Sequence, residues 1–167
     1  MRVGFQPGVP VALVIEDDPD AAEIASGMLQ MLGFAVEHCA AASEALRFLE
    51  HEVPDLILLD IRLPDIGGID LLDLASRTRP GPLGVPVIAV SALDLTAPPL
   101  ARSLRARGVE VLLAKPYGLA ELERAVRQLF PLGTQGRTQP AAPAGHSRLM
   151  GTARVLDREF ALELIGG

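Results

Sequence analysis

Residues 56–68 read LILLDIRLPDIGG. An apolar run goes straight into Asp60, and Pro64 follows four positions later. A short continuous apolar run bounded by turn residues is the pattern of a strand buried on both faces. A carboxylate at the end of such a strand is costly unless a cation meets it or it has chemistry to do. What surrounds Asp60 therefore decides the reading of the whole chain.

The same pattern recurs on either side. VALVIE (11–16), FAVEH (34–38), VPVIAVS (85–91) and VEVLLAK (109–115) read as four further strands, with DLILLD (55–60) the third of five in chain order. The intervals carry helical spacing. Between Asp18 and Leu32 the apolar positions Ile24, Met28, Met31 and Leu32 recur, with Asp18 and Pro19 as the start and Gly33 as a left-handed stop. Further helices are expected over 43–51 (Leu46, Phe48, Leu49), 68–76, 97–107 behind Pro98 and Pro99, and 118–130. The last has Leu119, Leu122, Val126 and Leu129 on one stripe. Doubly buried strands joined by helical crossovers imply an α/β fold, a five-stranded parallel sheet covered on both faces. In open sheets of this kind ligands bind at the carboxyl ends of the strands.

Composition narrows the function. The chain has 167 residues and 49% apolar content, enough for a real core, which with tryptophan absent is built from Leu, Val, Ile and Ala. With 15 basic against 21 acidic residues, a net charge of -6 argues against binding a nucleic-acid backbone. The lone Cys39 cannot form an internal disulfide, reads as a small core residue, and fits a cytoplasmic location. No apolar run approaches the roughly 18 residues a membrane helix needs, and the start lacks the pattern of a secretory signal.

The expected strand ends carry the chemistry. The first ends in Glu16, Asp17 and Asp18, the third in Asp60, the fourth in Ser91, and the fifth in Lys115 followed by Pro116. If the first and third strands are neighbours, as in the order 2-1-3-4-5, at least three carboxylates converge in one crevice. Like charges that close repel by about 1–4 kcal/mol per pair between the water and protein-surface limits. A divalent cation, a lysine or protonation must offset this, and magnesium suits the site, because it takes one or two carboxylates, keeps several waters and completes its shell with phosphate oxygens. Lys115 adds a second positive charge and Ser91 a hydroxyl donor, which together make a phosphoryl-handling site. Each residue alone has a plainer reading: Asp17 or Asp18 as a helix cap, Lys115 as a surface lysine, Ser91 as a strand terminator. Their coincidence does not.

Taken together, LVIEDDPD, LILLDIRLPDIGG, VIAVSA and AKPY resemble the receiver domain of two-component response regulators, over residues 11–130. The resemblance implies a flavodoxin-like doubly wound fold of order 2-1-3-4-5. Asp60 is then the phosphoryl acceptor, attacking the phosphohistidine of a histidine kinase or a histidine-phosphotransfer protein. Asp17 and Glu16 hold Mg2+ together with Asp60 and the backbone carbonyl of Arg62. Lys115 pairs with a phosphoryl oxygen and Ser91 hydrogen-bonds to one. Pro64 and Gly68 shape the loop after Asp60, and Pro116 the turn after Lys115, in this family often through a cis peptide. The only catalysis expected is self-phosphorylation and self-dephosphorylation, with no nucleic acid or membrane partner and with homodimerisation open.

The chain departs from the family at some positions. Receivers usually carry an aromatic residue three positions before the lysine of the fifth strand, where this chain has Leu112; Tyr117 is its only tyrosine. Signalling is therefore expected through the fourth helix and fifth strand, from Ser91 to the Leu112 position, without an aromatic rotamer change. Arg62 and Leu93 flank the expected path of hydrolytic water, and a bulky Leu93 implies slow loss of the phosphoryl group. Arg102, Arg105 and Arg107 read as a solvated charged face, and His38, His51 and His146 share no metal-binding spacing.

Residues 1–10 read as an extension and 131–151 as a Pro/Gly/Ala-rich linker. Residues 152–167 form a short amphipathic segment with Val155, Leu156, Phe160, Leu164 and Ile165 on one face. This segment weakly resembles the opening of a histidine-phosphotransfer domain, which would make the chain a receiver fragment of a hybrid kinase. Two other readings compete. A pseudo-receiver, a pure interaction module, would not need all of Asp17, Asp60, Ser91 and Lys115. A phosphatase of the haloacid-dehalogenase type would have an acid two residues after the nucleophile, where Arg62 stands.

Overall fold

The computed structural model describes residues 9–78, 84–92 and 97–130. Strands β1 (Val11–Ile15), β2 (Ala35–Cys39), β3 (Leu56–Asp60), β4 (Val87–Ser91) and β5 (Val109–Ala114) alternate with five helices. These are α1 (Pro19–Met31), α2 (Ala42–His51), α3 (Gly68–Thr78), α4 (Pro98–Ala106) and α5 (Leu119–Leu129). The strands form one sheet in the order β2-β1-β3-β4-β5, with every neighbouring pair parallel. The expected architecture is the observed one. The linker at 131–151, the tail at 152–167, residues 1–8 of the expected extension and Leu93 all lie outside the described residues.

Alternation along the strands divides the core between two faces. Leu13, Ile15, Ile57 and Leu59 pack with Ala45, Leu49, Leu71, Leu72 and Leu104 on the side of α2, α3 and α4. Ala12, Val14, Leu56 and Leu58 pack with Ala25, Leu29, Leu122 and Val126 on the side of α1 and α5. Each fully buried leucine or isoleucine contributes about 1.5–3 kcal/mol relative to exposure. In β5 the alternation slips. The register passes from Val87↔Val109 to Ile88↔Val111, so Glu110 is an extra residue. This bulge sends Val109 to one face and Val111 to the other, although both are odd-numbered.

Two helices differ from the reading of the sequence. In α1 the inward face is Ala22, Ala25 and Leu29, while Ile24 and Met31 are each 62% exposed. Small alanines let the helix lie close to the sheet, and that decides its rotation over the bulkier residues. Met28 and Leu32 do pack at the edge of the core. Helix α2 begins one residue earlier than expected, with Ala41 at the N-cap and no side-chain cap of its own. Its cap comes from elsewhere, as described below. Asp18 does cap α1, its carboxylate accepting from the N–H groups of Asp20 and Ala21, and Gly33 closes that helix at φ +88.

Candidate functional site

Parallel strands end together, so the residues that follow β1, β3, β4 and β5 meet along one edge of the sheet. The register Ile15↔Leu59 places Glu16 beside Asp60, and Asp60↔Val90 and Ser91↔Ala114 bring Ser91 and Lys115 alongside. Carboxylate oxygens of Glu16, Asp17 and Asp60 all lie within 4.8 Å of one another. Glu16 and Asp60 are buried, whereas Asp17 is exposed at the mouth. Lys115 reaches in from β5, its Nζ donating to Glu16 Oε2 at 2.6 Å and to Asp60 Oδ2 at 2.5 Å. The other Asp60 oxygen, Oδ1, accepts from the backbone N–H of Arg62 at 2.7 Å. Ser91 is fully buried, and its backbone carbonyl accepts from the Lys115 N–H at 2.9 Å.

The frame around this cluster is tightly built. His38, one strand away, is 2.8 Å from the Glu16 backbone carbonyl through Nε2. A carbonyl can only accept, so Nε2 carries the proton. Gly68 sits so close to the acceptor strand that a Cβ would lie 2.8 Å from the Asp60 carbonyl oxygen and 2.9 Å from Ile61 Cα. No side chain fits there without moving the backbone that carries Asp60. The Lys115–Pro116 peptide is cis. Pro64 lies exposed in the loop between β3 and α3. Among the described residues no buried side-chain nitrogen or oxygen lacks a partner.

Burial pushes the Glu16 carboxyl above the ordinary carboxylate range; the Lys115 hydrogen bond opposes this and the Asp60 charge adds to it. Burial draws the Lys115 ammonium down, but its hydrogen bonds and charge interactions with Asp60 and Glu16 outweigh that, and its pKa is raised. Three carboxylates against one ammonium leave two formal negative charges. That charge, and the all-oxygen donor set, fit a hard divalent cation of the magnesium type.

Leu112 stands away from this cluster, packed on the side of α2, α3 and α4, while half-buried Tyr117 packs on the opposite side with α1 and α5. Of the three arginines of α4 and its end, Arg102 and Arg105 are exposed, as expected of a solvated face, whereas Arg107 is half-buried. Arg107 makes a two-pronged ion pair with Asp73 of α3 at 2.8 and 2.9 Å and reaches Ser103 as well. Arg105 and Arg102 bond the carbonyls of Glu110 and Pro98. One residue that sequence reasoning passed over also belongs to the site's surroundings. Asp65, in the loop after Asp60, accepts from the N–H groups of Ala42 at 3.1 Å and Ser43 at 3.0 Å, and so caps α2. The signal was weak: an uncapped Ala41 at one helix start and a spare aspartate in a loop 24 residues later.

The profile of the response regulator receiver domain matches residues 12–127. The chain belongs to this family. Receivers are not enzymes in the ordinary sense. The chain is 36% identical over 114 residues to the transcriptional activator protein PfeR of Pseudomonas aeruginosa, covering 68% of this chain and 35% of that one. It is 32% identical over 124 residues to the probable transcriptional regulatory protein TcrX of Mycobacterium tuberculosis, covering 74% and 51%. It thus spans between a third and about half of the length of these two relatives. Among solved structures it resembles the receiver domain of the sensor histidine kinase PA1611 of Pseudomonas aeruginosa, at 30% identity and a TM-score of 0.63. That match covers 72% of this chain and 97% of the other, whose active-site cleft coordinates a magnesium ion. The acidic cluster Glu16, Asp17 and Asp60 resembles the magnesium sites of such receivers. Among the described residues no helix is long and apolar enough to cross a membrane.

Proposed function

We propose that this receiver accepts a phosphoryl group on Asp60 from the phosphohistidine of a histidine kinase or phosphotransfer protein. The observation that carries the reading is the Lys115 ammonium, held by both Asp60 and Glu16 at the mouth of a three-carboxylate cluster. An Asp60 oxygen attacks phosphorus, the P–N bond breaks, and its electron pair returns to the imidazole of the donor. The product is an acyl phosphate on Asp60. Asp60 is aimed by its strand and by the Arg62 N–H, so little orientation remains to be found when the donor arrives. Lys115 can follow the phosphoryl oxygens as it exchanges partners, and the Ser91 hydroxyl is a further donor once the group is in place. Glu16, Asp17, Asp60 and the Arg62 carbonyl would hold Mg2+, which when bound screens the charge of the phosphoryl oxygens. The output runs through α4 and β5, where Leu112 replaces the family's usual aromatic residue.

Incubation with a small acyl phosphate, with and without magnesium, tests this reading. The expected result is magnesium-dependent labelling that is lost in Asp60→Ala. Labelling indifferent to the metal or to that substitution would contradict it.

A further inference from the structure

The loop that follows the acceptor, Ile61–Gly67, has to hold the Arg62 backbone in place, because its N–H fixes Asp60 Oδ1. Its near end is secured by the Ile61 N–H on the Val90 carbonyl and its far end by the Gly68 N–H on the Ile61 carbonyl. Leu63 and Ile66 rest against the core. Between them Asp65 is exposed and yet receives two backbone N–H groups from the first turn of α2, one on each carboxylate oxygen. The arrangement is unusual for a helix start, since a cap ordinarily comes from the residue just before the helix. Ala41 occupies that place with the extended geometry of an N-cap (φ -141, ψ 151) but no side-chain acceptor. The first turn of α2 therefore has its polar partner in the acceptor loop.

We infer that Asp65 is a positioning residue for the acceptor site, tying the loop that carries Arg62 to the N-terminus of α2 and thereby setting magnesium affinity and phosphoryl uptake. Hydrogen bonds from the Ser43 and Ile66 N–H groups hold its carboxyl well below the usual range, so the tie is charged at neutral pH. Two acceptor oxygens on two adjacent N–H groups fix the carboxylate in orientation as well as distance. Only Leu63 and Pro64 separate Asp65 from Arg62, too short a span for slack to be absorbed. Loss of the tie leaves the loop held at its ends and by apolar contacts, with the Arg62 peptide restrained only by its own N–H on Asp60 Oδ1. Partners one step outside a metal's own ligands commonly change affinity about 10–100-fold, and Asp65, acting through backbone, belongs at the low end, near 10-fold.

The inference rests on the proposed metal and acceptor roles, and the experiment separates the two. Calorimetric titration with magnesium chloride and labelling of Asp60 are first established for the unmodified chain; absence of both would remove the underlying reading and not this one alone. Asp65→Ala is then compared with the double variant Ala41→Ser/Asp65→Ala, in which the serine caps α2 from its own N-cap position. Titrations are made well below the Tm of every variant, so that only folded protein is read. The expected result is a magnesium affinity about 10-fold lower in both variants, with slower labelling, while the serine returns thermal stability towards its original value. Unchanged affinity in Asp65→Ala would overturn the inference. So would recovery of affinity together with stability in the double variant, because capping of α2 would then be the whole role of Asp65.

Discussion

Lys115 shows most clearly how one side chain sets the character of the site. It is the ammonium that holds two buried carboxylates close together. Lys115→Met would leave Glu16 and Asp60 facing each other without compensation, and removing one partner of such a buried cluster costs about 3 kcal/mol. In metal-free buffer at pH 7, urea unfolding is expected to show a loss of that order. The loss should narrow as the pH falls, because a proton on Glu16 removes the charge that Lys115 balanced. A gap independent of pH would mean that the lysine acts by packing alone.

The secondary-structure elements carry a second kind of test, based on two glycines with opposite surroundings. Gly27 lies inside α1 with nothing within 4 Å of where a Cβ would stand, whereas Gly68 is pressed against the backbone of Asp60 and Ile61. Gly27→Ala is expected to stabilise the fold by about 0.5–1 kcal/mol through helix propensity. Gly68→Ala should destabilise it by about 1–3 kcal/mol through overpacking. Urea midpoints for the two variants give both signs in one experiment, and the same sign for both would refute the contrast.

These elements also show what could be read from the chain. The central strands β1, β3 and β4 were legible as apolar runs buried on both faces, and the edge strands β2 and β5 as partly buried runs between helical stretches. The site residues Glu16, Asp60, Ser91 and Lys115 were legible because each ends or follows such a run. The inward face of α1 was not, since Ala22 and Ala25 carry too little hydrophobic signal to compete with Ile24 and Met31. Nor was the start of α2, whose cap Asp65 arrives from another element. The Arg107–Asp73 ion pair joins residues 34 apart in sequence, and no local pattern announces it.

Across the whole molecule, the groups with raised pKa set an alkaline limit on stability. Burial raises the Cys39 thiol from 9.0 to about 11 and the Tyr117 phenol from 10.0 to about 12. Lys115 is also raised. In each case the folded chain holds its proton more tightly than the unfolded chain does. The contribution is full below the unfolded value and is lost as pH rises through the folded one. Stability is therefore expected to fall above about pH 9, in step with these groups. Asp65 and Asp73 are lowered by their hydrogen bonds, to backbone N–H groups and to Arg107 respectively, and act oppositely. Their contribution is present above 3.8 and lost as the pH falls below it. With one tyrosine and no tryptophan in the chain, tyrosinate absorbance reports Tyr117 alone. A native midpoint near 12, against about 10 in denaturant, is expected; coincident curves would place the ring in water.

The decisive measurement is the identity of the modified residue. After incubation with an acyl phosphate and magnesium, treatment with hydroxylamine converts an aspartyl phosphate into a hydroxamate that tandem mass spectrometry can locate. The expected outcome is a hydroxamate on Asp60 and on no other residue. A hydroxylamine-resistant phosphate on Ser91, an acid-labile, alkali-stable phosphate on His38, or a hydroxamate on Asp17 with Asp60 untouched, would contradict the assignment of the strand-end carboxylate as acceptor.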